Sequence, residues 1–276
     1  MIEWLARYEE DGEVFFRIGR DGDEVVAEWL GVARLVARRD GSAHRLERDP
    51  SAEPRELAKI ERGGVKLLLR HLAGKPALHG AAIAVGDDAI VLLGRARQGK
   101  STLAAALCAR EGVALLSDDA VAVDAAPEGY VVTALEEHHW LDAAARHAVS
   151  RMTSGEGAGE DVADGDRQQG KRAVTASRLG RRGVLRAIVD LAFAEGPARI
   201  VRASGLEAMA ALVPQAVRFV LDDPAVHRKE IESLGRLVEA VPVFRLERPR
   251  SLALLPESCD LVFSLLREPA PAASDP

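Results

Sequence analysis

The first fifty residues alternate apolar and polar positions in short runs, whereas the rest of the chain gathers its apolar residues into longer blocks. Runs such as EVFFRI (13–18) and EVVAEW (24–29) are bounded by Glu10-Asp11-Gly12, Asp21-Gly22-Asp23 and Asp40-Gly41, clusters that tolerate turn conformations and reverse the chain. This pattern predicts a small antiparallel sheet. Ser51-Ala52-Glu53-Pro54 then reads as a linker. Leu57, Ile60, Val65, Leu68 and Leu72 recur at helical spacing over 55–72, with Gly63-Gly64 as a candidate break. The expected organisation is a β-rich N-terminal region at 1–54, a larger α/β domain with a mixed sheet at 55–267, and a tail at 268–276 expected to be disordered.

Within the larger domain, LHGAAIAV (78–85) and AIVLLG (89–94) are strand-like runs joined by Gly86-Asp87-Asp88, which predicts a hairpin. With the turn centred near Asp87, cross-strand partners sum to about 174, so His79 is expected opposite Arg95. STLAAALCAR (101–110) favours helix, with Gly112 as its stop, and VALL (113–116) predicts the next strand. Asp118-Asp119 would then lie at the carboxyl end of that strand, the edge where α/β sheets bind ligands. The stretch 154–171 is polar and glycine-rich, and a mobile loop is expected there.

Composition narrows the partners. A chain of 276 residues, 47% hydrophobic and 29% charged, has the proportions of an ordinary globular protein with a full core. Lys+Arg 37 against Asp+Glu 43 gives a net charge of -6, which argues against nucleic-acid binding. The acidic start MIEWLARYEEDGE has no apolar h-region, and no apolar run approaches about 18 residues, so neither secretion nor membrane insertion is indicated and a cytoplasmic location is expected. Cys108 and Cys259 are too few and too isolated for a disulfide framework or a zinc site.

Candidate chemistry centres on GRARQGKST (94–102), which fits G-x-x-x-x-G-K-[ST] between a strand-like run and a helix-favouring one. In such a loop, backbone N–H groups converge on phosphate oxygens at a helix N-terminus, whose dipole favours negative charge. Gly94, Arg95, Ala96, Arg97, Gln98, Gly99, Lys100, Ser101 and Thr102 are therefore candidate nucleotide-binding residues, with Lys100 on the outer phosphates and Ser101 on Mg²⁺. Phosphoryl transfer also needs a carboxylate for the metal and one near the acceptor proton. Asp118 and Asp119 supply that pair, and the sequence leaves open which does which, so Ser101, Asp118 and Asp119 are all candidate metal donors. His79, expected at the mouth of the loop, is a candidate partner of the basic aspartate. Between Arg167 and Val189 there are seven basic residues and no acidic one. Such a run is either a solvated face or a source of phosphate clamps, among which Lys171, Arg172 and Arg186 are the candidates. In HHWLD (138–142) the spacing does not suit zinc, and Trp140 reads as a packing anchor.

Together, LHG (78–80), GRARQGKST (94–102) and LLSDD (115–119) resemble the HPr serine kinase/phosphorylase family, whose catalytic domain is itself similar to phosphoenolpyruvate carboxykinase. The chain looks especially like short HPr-kinase-like proteins of bacterial gene clusters, including kinases of lasso-peptide precursors. The resemblance implies a P-loop core in which His79 and the aspartate pair serve proton transfer and Mg²⁺, while Lys100 and Ser101 hold phosphates and metal. GRRGVLRAIVDL (180–191) and VPVFRLERPRSLALLP (241–256) echo the family's later part, and the likeness extends over about two thirds of the chain. The chain departs from the family at Arg97, where a glycine is usual, in its shorter N-terminal region, and in lacking the glycine-rich signature after the active site. These departures argue against HPr itself as the substrate.

The leading expectation is an ATP- and Mg²⁺-dependent kinase acting on a Ser/Thr hydroxyl of a peptide or small protein, such as a ribosomal natural-product precursor. A kinase of small metabolites and a nucleotide-sensing module without transfer are the alternatives, and the assembly state, a homo-oligomer included, stays open.

Overall fold

The computed structural model describes residues 1–135, 138–152, 167–168, 171–221 and 223–267. The chain divides into two compact units, Met1–Ala77 with Val217–Ser233, and Leu78–Ala216 with Leu234–Pro276.

In the first unit, β1 (Glu3–Glu10), β2 (Glu13–Asp21), β3 (Glu24–Trp29), β4 (Ala33–Arg38) and β5 (His44–Arg48) form an antiparallel meander in chain order. The register places Ile18, Ala27, Leu35 and Leu46 in one cross-strand row. Period-two patterning thus sends one set of side chains inward. Helices α1 (Pro54–Ile60) and α2 (Lys66–Leu72) supply the other half of this core, where Val65, Leu68 and Leu72 cluster with Phe16, Ile18 and Leu35. The two glycines do not end the helix. Residues Glu61–Val65 form a π-helical turn, and a Cβ on Gly64 would lie 2.6 Å from the Trp29 ring, so glycine here permits close packing. Phe219 and Leu221, from the distant segment Val217–Ser233, complete the same core.

The second unit continues with β6 (Ala77–Val85), β7 (Asp88–Leu93), α3 (Lys100–Cys108), β8 (Val113–Ala126), β9 (Gly129–Thr133), β10 (His138–Leu141), α4 (Ala143–Ser150), β11 (Arg167–Gln168), β12 (Lys171–Thr175), β13 (Arg182–Phe193), β14 (Arg199–Arg202), α5 (Gly205–Leu212), α6 (Pro224–Ala240), β15 (Val243–Arg248) and α7 (Leu255–Arg267). Residues of α6 before Leu234 belong to the first unit. Seven strands form a mixed sheet in the order β14-β15-β13-β7-β6-β8-β9, and β10, β12 and β11 form a small separate one. Strand β13 runs parallel to β7 and β15, while β6–β7 is the antiparallel hairpin expected from the sequence. Strand β7 is buried on both faces: Ile90 and Leu92 pack with Leu103 and Leu107 of α3, and Val91 and Leu93 pack with Leu212, Leu234 and Leu237. Burial of each such side chain contributes on the order of 2 kcal/mol, so the strand that feeds loop 94–99 is held from both sides.

Two expectations change. Strand β8 does not stop near Leu116 but continues to Ala126, because AVAV (120–123) keeps alternating and β9 pairs with it from Ala122 to Ala126. Asp118 and Asp119 therefore lie inside a strand, not beyond its end. The stretch 154–171, expected as a mobile loop, lies outside the described residues except for 167–168 and 171, and so does the tail at 268–276. Among the described residues no helix is long and apolar enough to cross a membrane.

Unit one carries a buried titratable group. His71 is 4% exposed, and among the described residues neither ring nitrogen has a hydrogen-bond partner. Burial, with the positive charges of His227 and Arg218, pushes its pKa down to about 4 against the opposing pull of Asp223. Glu230 Oε2 is 4.0 Å from Nδ1, but the Glu230 carboxylate is already engaged by the Arg218 guanidinium at 2.5 Å. The unfolded chain protonates His71 near the ordinary imidazole value and the fold does not, so the stabilisation is fully present above about pH 6.5 and is lost as pH falls toward 4. His71→Leu leaves no ring nitrogen to protonate. In urea unfolding, the stability of the wild type relative to this variant should fall by on the order of 2–3 kcal/mol between pH 7 and pH 4. A difference independent of pH would show that the folded chain already accommodates the charged ring.

Candidate functional site

Loop 94–99 leaves the pinned end of β7 and enters α3 at Lys100. Two glycines shape it. Gly94 has φ 141, with Leu191 O 3.0 Å from where a Cβ would stand, and Gly99 has φ 80, with Arg248 Nη2 2.7 Å from that position. Arg97 adopts φ 65, a left-handed conformation that costs a non-glycine residue roughly 1 kcal/mol or more. The loop is braced from outside by Arg248, which is 4% exposed: its Nη2 donates to Gln98 O at 2.9 Å, and its guanidinium lies over the Phe193 ring at 5.0 Å. The Gln98 side chain accepts from Phe193 N at 3.1 Å, so it faces β13 as a strut.

Lys100 is nearly buried, and its ammonium donates to the carbonyls of Gly94 (2.7 Å) and Arg95 (3.3 Å). Burial pulls its pKa down, Lys171 adds to this, and Asp118, Asp119 and Asp190 oppose it. Asp190 is partly buried on β13 in register with Leu93, and burial raises its pKa against Arg245, Arg95 and Lys100. Ser101 Oγ donates to Asp118 Oδ1 at 2.9 Å, and the backbone N–H of Trp140 donates to Asp118 Oδ2 at 3.0 Å. Asp118 is 1% exposed, so both oxygens are held in a dry position. His139, also buried, has Nδ1 3.8 Å from Asp118 Oδ2, beyond hydrogen-bond distance, and among the described residues neither of its ring nitrogens has a hydrogen-bond partner.

Asp119 points the other way. Its side chain is 53% exposed, its φ is 102, and the Ser117 hydroxyl closes the strand irregularity by donating to Ala120 O. His79 Nδ1 lies 2.9 Å from Asp119 O and 3.3 Å from Asp119 Oδ1. The hairpin pairs Val85 with Asp88 and Ala81 with Leu92, which extends to His79 opposite Gly94, one residue from the expected partner.

A cavity of about 600 Å³ joins these groups, lined by His79, Ala96, Arg97, Gly99, Lys100, Ser101, Thr102, Asp118, Asp119, Trp140, Asp142, Lys171 and Arg250. The chain matches no protein-family model and no curated protein. Among solved structures it is similar to the HPr(Ser) kinase/phosphatase from Coxiella burnetii, at 12% identity and a TM-score of 0.37, over 69% of this chain and 95% of that one. The functional reading therefore rests on this chain's own residues.

Of the sequence candidates, Lys171 reaches the cavity, whereas Arg172, the next residue on β12, is exposed and is not among the lining residues. Arg95 is exposed too and acts on Asp190 rather than lining the cavity. Arg186 is not brought to the loop. Its Nε donates to Asp88 Oδ1 at 2.6 Å, at the far end of β7, roughly 20 Å of strand away from Gly94. The parallel β13–β7 register decides this, placing Arg186 beside the hairpin turn. Trp140 is half-buried and lines the cavity, and Asp142 caps α4 by accepting from Ala145 N at 2.8 Å. His139, Asp142, Asp190, Arg248 and Arg250 were not singled out from the sequence. Only Asp190, a lone carboxylate inside the apolar run of VLRAIVDL, carried a local signal.

The fit between Gly99 and Arg248 is measurable. Gly99→Ala should destabilise by about 2–4 kcal/mol, from positive φ together with overpacking against the guanidinium. Arg248→Ala removes the clashing group, so urea unfolding of the double variant should show less than the sum of the single losses by about 1 kcal/mol or more. Strict additivity would leave only the backbone term at Gly99.

Proposed function

We propose that this chain is a phosphotransferase that moves the terminal phosphoryl group of Mg²⁺-ATP to a hydroxyl, that of a serine or threonine in a peptide or small protein. The observation that carries the reading is the Ser101–Asp118 hydrogen bond at the N-terminus of α3, next to nearly buried Lys100 and in one cavity with the His79–Asp119 pair. The residues fit the metal. Ser101 Oγ and Asp118 Oδ1 are hard oxygen donors 2.9 Å apart, and Mg²⁺ takes one or two protein oxygens, completing its shell with phosphate and water. When bound, the ion neutralises charge on the phosphate oxygens.

The chain's own groups divide the remaining work. Backbone N–H groups of loop 94–99 and the start of α3 receive the phosphates, and Lys100 exchanges its hold on Gly94 O for a phosphate oxygen. Arg97, Lys171 and Arg250 add positive charge along the cavity wall. His79 and Asp119 stand on the open side, with side chains 47% and 53% exposed, and take the acceptor's proton. That exposure favours a hydroxyl presented by a larger molecule over a metabolite enclosed in a pocket.

Lys100→Met should keep the fold while abolishing the thermal stabilisation that millimolar Mg²⁺-ATP gives the wild type, because among the described residues the ammonium donates to carbonyls of its own loop and methionine keeps the buried stem. A wild type that gains no stability from Mg²⁺-ATP would remove the nucleotide assignment. Asp118→Asn should lower ADP formation by about 10²-fold or more and shift the magnesium titration to higher concentration. An unchanged magnesium dependence would take Asp118 out of the metal site.

A further inference from the structure

We propose that the proton acceptor of this site is the Nε2 atom of His79, and that Asp119 acts by fixing the tautomer that frees it. This rests on the phosphotransferase reading and names the atom that receives the proton. His79 Nδ1 faces two oxygens of Asp119, the backbone carbonyl at 2.9 Å and Oδ1 at 3.3 Å. A carbonyl and a carboxylate offer lone pairs only, so the ring nitrogen between them must carry the hydrogen. A neutral imidazole has one N–H, and its other nitrogen, Nε2, then keeps a lone pair. Among the described residues Nε2 has no hydrogen-bond partner, and the half-exposed ring lines the same cavity as Ser101 and Lys100.

The two carboxylates are less suited to the task. Asp118 has both oxygens engaged, by Ser101 Oγ and Trp140 N, and is excluded from water. Asp119 Oδ1 is occupied by the His79 ring, whereas the lone pair on His79 Nε2 is unshared among the described residues. The backbone at Asp119 points the same way. Its φ of 102 is a strained conformation for a residue with a side chain, and it brings the residue's carbonyl and carboxylate onto a single ring nitrogen.

In the transfer step the acceptor O–H bond breaks and its proton passes to Nε2. The oxygen's electron pair forms the new P–O bond at the terminal phosphorus, while the old bond to the bridging oxygen breaks and its pair leaves on ADP. The Asp119 carboxylate stabilises the imidazolium, which afterwards gives its proton to water.

The test follows ADP release from Mg²⁺-ATP, with a mixed library of serine- and threonine-containing peptides as acceptor probe, alongside thermal shift with Mg²⁺-ATP. His79→Gly should lose about 10²-fold of turnover, keep the wild-type nucleotide shift, and recover several-fold when free imidazole is added. His79→Asn, whose amide still donates to Asp119 but has no basic nitrogen, should be folded and equally slow, without imidazole rescue. Asp119→Asn keeps the backbone carbonyl and tolerates positive φ, so its loss should stay near tenfold. Complete loss in Asp119→Asn with no imidazole rescue of His79→Gly would overturn the proposal and give the proton to the Asp119 carboxylate. A wild type that binds Mg²⁺-ATP but releases no ADP overturns it as well, whereas a wild type that does not bind Mg²⁺-ATP removes the reading beneath it.

Discussion

Two-sided burial of β7 is the constraint on which the candidate site depends. Ile90 and Leu92 are fixed against α3, and Val91 and Leu93 against the opposite layer, so the strand has no freedom to slide or tilt. The loop at 94–99 inherits that rigidity at its first residue. At its other end α3 is anchored by Leu103 and Leu107 in the same core that holds Ile90 and Leu92. A six-residue loop held at both ends can present its N–H groups in one arrangement, at the cost of positive φ at Gly94, Arg97 and Gly99.

Around that loop the buried charges of Lys100, Asp118 and Arg248 are each met by hydrogen bonds. Lys100 is nearly buried on backbone carbonyls, with Asp118, Asp119 and Asp190 in its field. Asp118 is buried on a hydroxyl and an N–H. Arg248 is buried on Gln98 O and the face of Phe193. The side-chain contacts of Asp118 and Arg248 connect separate elements, α3 to β8, β10 to β8, and β15 to the loop, so the packing of the second unit and the geometry of its cavity are one problem. A ligand that brought negative charge would find the Lys100 ammonium loosely held by neutral carbonyls and available to it.

Local patterning reached far into this architecture. The alternation of residues 13–38 specified a meander because one face of each strand had to be covered. The Gly86-Asp87-Asp88 turn specified the β6–β7 hairpin, and with it the position of His79 to within one residue. The pattern at 94–101 specified strand, loop and helix because only glycine adopts the backbone at Gly94 and Gly99 without steric conflict. Where local reading stopped, it stopped for identifiable reasons. The end of β8 depended on whether β9 would pair with it, and the fate of Arg186 depended on the parallel register with β7, neither of which a single run of residues encodes.

What the sequence determined by itself is the set of short-range structures and the order of the candidate site residues along them: the meander, the hairpin, the glycine loop before α3, and the Asp118-Asp119 pair. Their spacing follows from backbone geometry and side-chain period, which act over a few residues. Only the tertiary structure decided how the two aspartates divide, Asp118 inward to Ser101 and Asp119 outward to His79, and which distant side chains, Trp140, Lys171 and Arg250, wall the cavity. It also decided that residues Val217–Ser233 return to the first unit and complete its core. These outcomes depend on contacts between segments far apart in sequence, as between Arg248 and Gln98 or Phe16 and Phe219, and such contacts form only when burial of apolar surface offsets the entropy of closing long loops.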